Sequence, residues 1–162
     1  MRAIGGSSGL IRVLLVEDSP GDIQLTQEAF RDANSSVQLH VVSDGAEAMA
    51  FLMHEGAHAD APRPDLILLD LNLPRMDGRE VLAHIKQNEH LKTIPTVILT
   101  TSEGEMDIAK SYQLHANCYL SKPVQLAAFE SLVKSINDFW LTKVRLPPRE
   151  MNSAGVSRNR RQ

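Results

Sequence analysis

The chain has 162 residues, 43% of them apolar and 23% charged, with a formal charge of −3 and one cysteine, Cys118. That balance excludes a disordered or fibrous protein, and one cysteine excludes an internal disulfide and a cysteine-rich zinc site. No apolar run approaches the ~18–20 residues of a membrane helix, and the opening MRAIGGSSGL holds no signal-peptide core, so a cytoplasmic protein is expected.

Residues 1–10 are expected as a flexible lead. The first strand is predicted over Ile11–Glu17. Ser19, Pro20 and Asp22 follow as a cap, a proline at the first helical position and an acid in the first turn, ahead of Ile23, Ala29 and Phe30. The second strand is predicted over Val37–Val42, and Asp44 then opens a helix with Ala46, Met49, Ala50 and Met53 on its inner side. The third strand is Asp65–Asp70; Asp77 and Glu80 cap the helix carrying Val81, Leu82 and Ile85. The fourth is Pro95–Thr100, with Ser102 and Glu105 read as a similar cap pair before Ile108 and Tyr112. The fifth is Asn117–Leu120. A last helix runs from about Gln125 to Lys143, with Phe129, Leu132, Val133, Ile136, Phe139 and Trp140 at helical spacing.

Strands alternating with helices imply crossovers and a parallel sheet. VLLVE and LILLD are nearly continuous apolar runs, as in strands covered on both faces. The fold class is therefore α/β, a doubly wound five-stranded parallel sheet of the flavodoxin-like (βα)5 kind. Such sheets bind ligands outside the carboxyl ends of their strands. There this chain places Glu17-Asp18, Asp70 with Asn72, Thr100-Thr101, and Lys122-Pro123. Clustered carboxylates repel one another unless a cation joins them. Oxygen-only donors suit Mg²⁺. The remaining lysine and threonine match a phosphoryl group. Each residue alone is an ordinary loop or cap residue; the reading rests on their placement together. The six histidines show no metal-ligand spacing, and Met49 and Met53 read as core.

The stretches VLLVEDSPGD, LILLDLNLPRMDGREVL, IPTVILTTS and NCYLSKP, in this order and spacing, resemble the response-regulator receiver domain over roughly residues 11–142. DLNLPRMDGREVL, SYQLHANCYLSKP and FWLTKVRLP resemble more finely the single-domain regulators that partner cyanobacterial-type phytochromes. The resemblance implies that Asp70 is the phosphoacceptor for a histidine kinase's phosphohistidine. It implies a Mg²⁺ held by Asp18, by Glu17 through water, by Asp70 and by the Asn72 backbone carbonyl. Thr100 would be the switch hydroxyl, with Thr101 a second candidate, and Lys122 the phosphate-pairing cation. Tyr119 would be the switch aromatic. Pro74, Gly78 and Pro123 would shape the loops, with a cis peptide before Pro123. Asn72 and Ser102 could orient or block the water that attacks an acyl phosphate.

From Lys143 to Gln162 six bases face one acid, a balance of +5, whereas residues 1–142 hold 11 bases and 19 acids, or −8. Residues 144–162 are expected as a Pro-containing basic tail after a domain at 11–143. The tail is read as a solvated end or a contact with an acidic partner, with little weight on nucleic acid. About 20 residues cannot build a DNA-binding module, so output is expected through a surface. Ile108, Tyr112, Tyr119, Phe139, Trp140, Val144 and Leu146 suggest a homodimer through the face made by the fourth helix, fifth strand and fifth helix. The resemblance implies a bilin-binding phytochrome kinase as partner. Two other classes fit less well. A phosphohydrolase using Asp70 would need an acid/base where Asn72 stands. A flavin or nucleotide binder would need a glycine-rich loop where EDSPGD stands.

Overall fold

In the computed structural model, which describes residues 9–33 and 36–149, strands and helices alternate. They are β1 (Ile11–Val16), α1 (Pro20–Ala33), β2 (Val37–Val42), α2 (Gly45–Met53), β3 (Leu66–Leu69), α3 (Gly78–Gln87), β4 (Thr96–Thr100), α4 (Glu105–Gln113), β5 (Cys118–Ser121) and α5 (Leu126–Trp140). The strands form one parallel sheet in the order β2-β1-β3-β4-β5. The winding direction reverses between β1 and β3, which opens a crevice at their carboxyl ends. Val16 lies opposite Leu69, so the next residues, Glu17 and Asp70, stand side by side.

Alternate residues along the strands feed two cores. Val13, Leu15, Leu66, Leu68, Val97 and Leu99 meet Phe30 of α1 and Phe129, Val133 and Ile136 of α5. Leu14, Val16, Ile67, Leu69 and Ile98 meet Ala48, Phe51 and Leu52 of α2 and Val81, Leu82 and Ile85 of α3. The whole of β3 is buried, as a strand covered on both faces must be.

Three local expectations are corrected. The inner face of α2 is Gly45, Ala48, Phe51 and Leu52, whereas Met53 is exposed and Ala46, Met49 and Ala50 are half-buried. The segment is apolar almost all round, so spacing alone does not choose its face; burying the bulkier Phe51 and Leu52 removes more apolar area from water. Ser102 does not cap α4. Its N-cap is Gly104, which has no side chain to cap with; the Ser102 hydroxyl donates to Asp107 Oδ2 at 2.6 Å, and its oxygen accepts from Gly104 N–H at 3.4 Å and not from an N–H of the helix. Among the described residues no peptide is cis, so the bond before Pro123 is trans, the isomer an X–Pro peptide ordinarily favours. The caps at Ser19, Asp44 and Asp77 are borne out. Their side chains accept from the backbone N–H groups of Asp22, Glu47 and Arg79.

Beyond α5 the chain turns back at the buried Leu141. Arg149 then donates to both carboxylate oxygens of Asp65, from Nε at 2.7 Å and Nη2 at 2.5 Å, and to the Leu10 carbonyl. The first part of the expected tail is thus tied to the amino-terminal edge of the sheet. Most of the expected lead, and Arg158, Arg160 and Arg161 of the tail, lie outside the described residues. Among the described residues no helix is long and apolar enough to cross a membrane.

Candidate functional site

The parallel register delivers the site. Glu17 follows β1, Asp70 follows β3, Thr100 ends β4 and Lys122 follows β5. The backbone locks these ends together: Asp70 N–H donates to Val16 O at 3.1 Å and Lys122 N–H to Thr100 O at 2.7 Å. Glu17, Asp70 and Lys122 are 2%, 7% and 6% exposed, while Asp18 is open to solvent.

The Lys122 ammonium sits at the centre. It donates to Glu17 Oε1 at 2.5 Å, to Asp22 Oδ2 at 2.9 Å and to Asp70 Oδ2 at 3.2 Å. Asp70 Oδ1 accepts from the Asn72 N–H at 3.1 Å, which fixes the carboxylate plane. Ser19 N–H donates to Glu17 Oε2 at 3.1 Å. The Thr100 hydroxyl is fully buried at the same edge and has no hydrogen-bond partner, an arrangement that costs free energy unless a ligand supplies an acceptor.

Glu17, Asp22 and Asp70 together face one ammonium, and Asp18 adds a fourth carboxylate close to those of Glu17 and Asp70. Burial pushes the Glu17 carboxyl up to about 7; the hydrogen bond and charge of Lys122 oppose the rise and the Asp70 charge adds to it. Burial alone would lower Lys122, but its hydrogen bonds to Glu17 and Asp22 and the charges of Glu17 and Asp70 outweigh that and hold it above the usual range. Glu17, Asp18 and Asp70 each offer a carboxylate oxygen, and these atoms all lie within 4.8 Å of one another. A carboxylate set short of positive charge, with oxygen donors only, fits a hard divalent cation.

The loop after β3 is built to hold this geometry. Gly78 packs so closely that a Cβ there would lie 2.1 Å from Asp70 O and 2.6 Å from Leu71 Cα. The Pro74 carbonyl accepts from Met76 N–H at 2.8 Å, and Arg75 takes a left-handed φ of 70° beside Asp44.

The structure therefore brings together Glu17, Asp18, Asp70, Thr100 and Lys122, with Asn72 at the rim. Tyr119 stands one step away: its ring packs against the α2–α3 core, and its hydroxyl donates to Ser102 O at 3.0 Å. Thr101 is exposed. Sequence reasoning missed Asp22, taken only as a first-turn acid. It is that, but the first turn of α1 also leans over the pocket and aims its carboxylate at Lys122. The apolar residues expected at the output face divide. Tyr112 and Phe139 are exposed, whereas Ile108, Trp140, Val144 and Leu146 are half-buried. Three exposed apolar residues escaped the sequence reading: Met106 at 85%, Val124 at 101% and Leu126 at 56%.

Comparison with known proteins agrees with this geometry. A family model for the response regulator receiver domain matches residues 13–135. Response regulator Rcp1 of Synechocystis sp. is 53% identical over 135 residues, which span 83% of this chain and 92% of Rcp1. The Mn²⁺-bound crystal structure of Rcp1 superposes with a TM-score of 0.83 at 51% identity, covering 85% of this chain and 99% of that one. The phosphorylated cyanobacterial phytochrome response regulator RcpA also gives a TM-score of 0.83 at 51% identity, covering 86% of this chain and 99% of that one.

Proposed function

The chain belongs to the response-regulator receiver family, and from that premise we propose that it is a phosphorylation-controlled switch in which Asp70 accepts a phosphoryl group from a histidine kinase. The observation that carries this reading is the Lys122 ammonium 3.2 Å from Asp70 Oδ2, together with a buried Thr100 hydroxyl that lacks an acceptor at the end of the adjoining strand β4. Asp70 attacks the phosphorus of a phosphohistidine; the new O–P bond forms as the P–N bond breaks, and the imidazole nitrogen leaves. Lys122 then pairs with the transferred phosphoryl oxygens, and Thr100 donates its hydroxyl to one of them. Little else is asked of the protein, because phosphoryl transfer depends chiefly on position and charge neutralisation.

Glu17, Asp18, Asp70 and the Asn72 carbonyl would hold a divalent cation, with Mg²⁺ the ion we favour. When bound, it neutralises charge on the carboxylates and the phosphoryl oxygens. Pro74, Gly78 and Pro123 keep the loops in place. The self-phosphorylation and dephosphorylation of Asp70 are the only chemistry assigned to the domain at 11–143. The partner we favour is a bilin-binding phytochrome kinase, on the strength of the likeness to a phytochrome response regulator. Cytoplasmic location follows from that partnership.

Output passes by protein contact, through a homodimer using the face of α4, β5 and α5. Exposed Met106, Tyr112, Val124, Leu126 and Phe139 support it, because an apolar face gains by being covered. Tyr119 and Thr100 would couple the pocket to that face as a two-state element.

Incubation with a small acyl phosphate and Mg²⁺ tests the acceptor. The parent protein is expected to shift on a phosphate-affinity gel and Asp70→Asn to show no shift; equal labelling of both would end the proposal. Sedimentation at tens of micromolar, with and without an acyl-phosphate mimic, tests the dimer. A monomer under both conditions removes it.

A further inference from the structure

A chain of polar contacts runs from α3 to Tyr119 without passing through Thr100. Arg79 grips Asp107 of α4 with two parallel bonds, Nε to Oδ1 at 2.9 Å and Nη2 to Oδ2 at 2.8 Å. Its third nitrogen, Nη1, donates to Asp77, the N-cap of α3, at 3.0 Å and 3.1 Å. The same nitrogen lies 3.5 Å from the carbonyl of Leu71, the residue after Asp70. Asp107 Oδ2 also accepts the Ser102 hydroxyl at 2.6 Å. The Ser102 carbonyl accepts the Tyr119 hydroxyl at 3.0 Å, with Ser121 Oγ at 3.5 Å.

These contacts answer a structural need. The start of α4 has no side-chain cap bond, and Ser111 is its one buried residue, so apolar packing fixes it weakly. A bidentate arginine–carboxylate pair is the geometrically specific way to fix it instead. The Asp107 carboxyl is held down to about 2, chiefly by the Arg79 hydrogen bond and then by that of Ser102. It stays an acceptor throughout the working range.

We propose that Asp107 is a positioning residue: through Ser102 it sets the segment between β4 and α4 so that the Ser102 carbonyl receives the Tyr119 hydroxyl, and through Arg79 it refers that setting to the turn that follows Asp70. Tyr119 is thereby held against the core by an input from α3, separate from the coupling to Thr100 proposed above. The proposal rests on the phosphoacceptor reading for the task of Tyr119, but the arrangement itself exists without a phosphoryl group.

The protein has two tyrosines, Tyr112 and Tyr119. Fluorotyrosine labelling in a Tyr112→Phe background therefore gives a fluorine NMR signal from Tyr119 alone, and its solvent isotope shift reports whether the ring is packed or in water. Without any phosphodonor, Asp107→Asn is expected to lower the ratio of packed to open ring by roughly fivefold or more, the scale of one charge-assisted bond. Ser102→Ala, a loop change with little risk to folding, is expected to move the signal the same way by less. Asp107→Glu, which keeps the charge, is expected to recover most of the parent signal. A Tyr119 signal that matches the parent in both Asp107→Asn and Ser102→Ala overturns the proposal, as does Asp107→Glu behaving like Asp107→Asn. Labelling of Asp70 by an acyl phosphate, run in parallel, is expected to stay within about twofold in both Asp107 variants. Failure of the parent to label would sink the phosphoacceptor reading and leave the Tyr119 comparison, made without phosphate, still decisive.

Discussion

Helices α3 and α4 both start where a strand delivers a site residue, α3 after Asp70 and α4 after Thr100, yet they are held by different means. α3 buries Gly78, Val81, Leu82 and Ile85, and its cap Asp77 accepts from Arg79 N–H. α4 buries Ser111 alone and starts from an uncapped Gly104. One is fastened by apolar packing, which tolerates no displacement; the other by a few polar contacts, which can be exchanged one for another. A switch needs both kinds. On the proposed function, the acceptor would have to stay in place when charge arrives, and the reporting element would have to move at small cost.

The sharpest way to break this contrast is Gly78→Ala. The added carbon would lie 2.1 Å from Asp70 O, a backbone atom that cannot step aside. The turn after β3 would have to open, and a loss of about 3 kcal/mol or more is expected, read as a fall in the urea midpoint with unchanged slope. Acyl-phosphate labelling of Asp70 is expected to fall with it. A variant as stable as the parent would mean that the α3 start is no more rigid than the α4 start.

This division was only partly legible beforehand. The buried run Leu66–Leu69 announces a central parallel strand, and the acids, hydroxyl and lysine at successive strand ends announce the pocket, because chain order alone carries them to one edge. What the sequence hides is whatever depends on how one element leans on another. Asp22 reads as a helix-start acid and is also a partner of Lys122. Ser102 and Glu105 have the spacing of a capping box, but the Ser102 hydroxyl turns to Asp107, which Arg79 holds in place from another helix. Local pattern cannot report that this competitor is fixed by an arginine 28 residues from it.

A smaller effect separates the two helices by pH. Asp107 titrates near 2 in the folded protein, below the ~3.9 of an unfolded aspartate. Between those values the unfolded chain binds more protons, so stability rises with pH there. The contribution is complete above about pH 4 and is lost as the pH falls towards 2. Asp107→Asn removes it. The gap between the urea midpoints of parent and variant is therefore expected to be open at pH 7 and to narrow at pH 3 and below. The gap will be modest, because the pair is reached by solvent and salt. An equal gap at both pH values would show that the Arg79–Asp107 pair does nothing to hold α4.

The smallest expected effect is the most discriminating. Gly104 has an ordinary φ of −68°, and a Cβ there would meet only Ser102 Oγ, at 3.8 Å. Two small terms then oppose each other. Alanine is the poorer N-cap residue, but it removes freedom from the unfolded chain worth about 0.4–1 kcal/mol. Gly104→Ala is thus expected to change stability by less than about 0.5 kcal/mol and to leave labelling of Asp70 intact. The same one-carbon change would then disrupt one helix start and pass almost unnoticed at the other. A loss at Gly104 comparable to that at Gly78 would mean that the entry to α4 is packed as tightly as the entry to α3, and the polar chain through Asp107 would have no loose element to position.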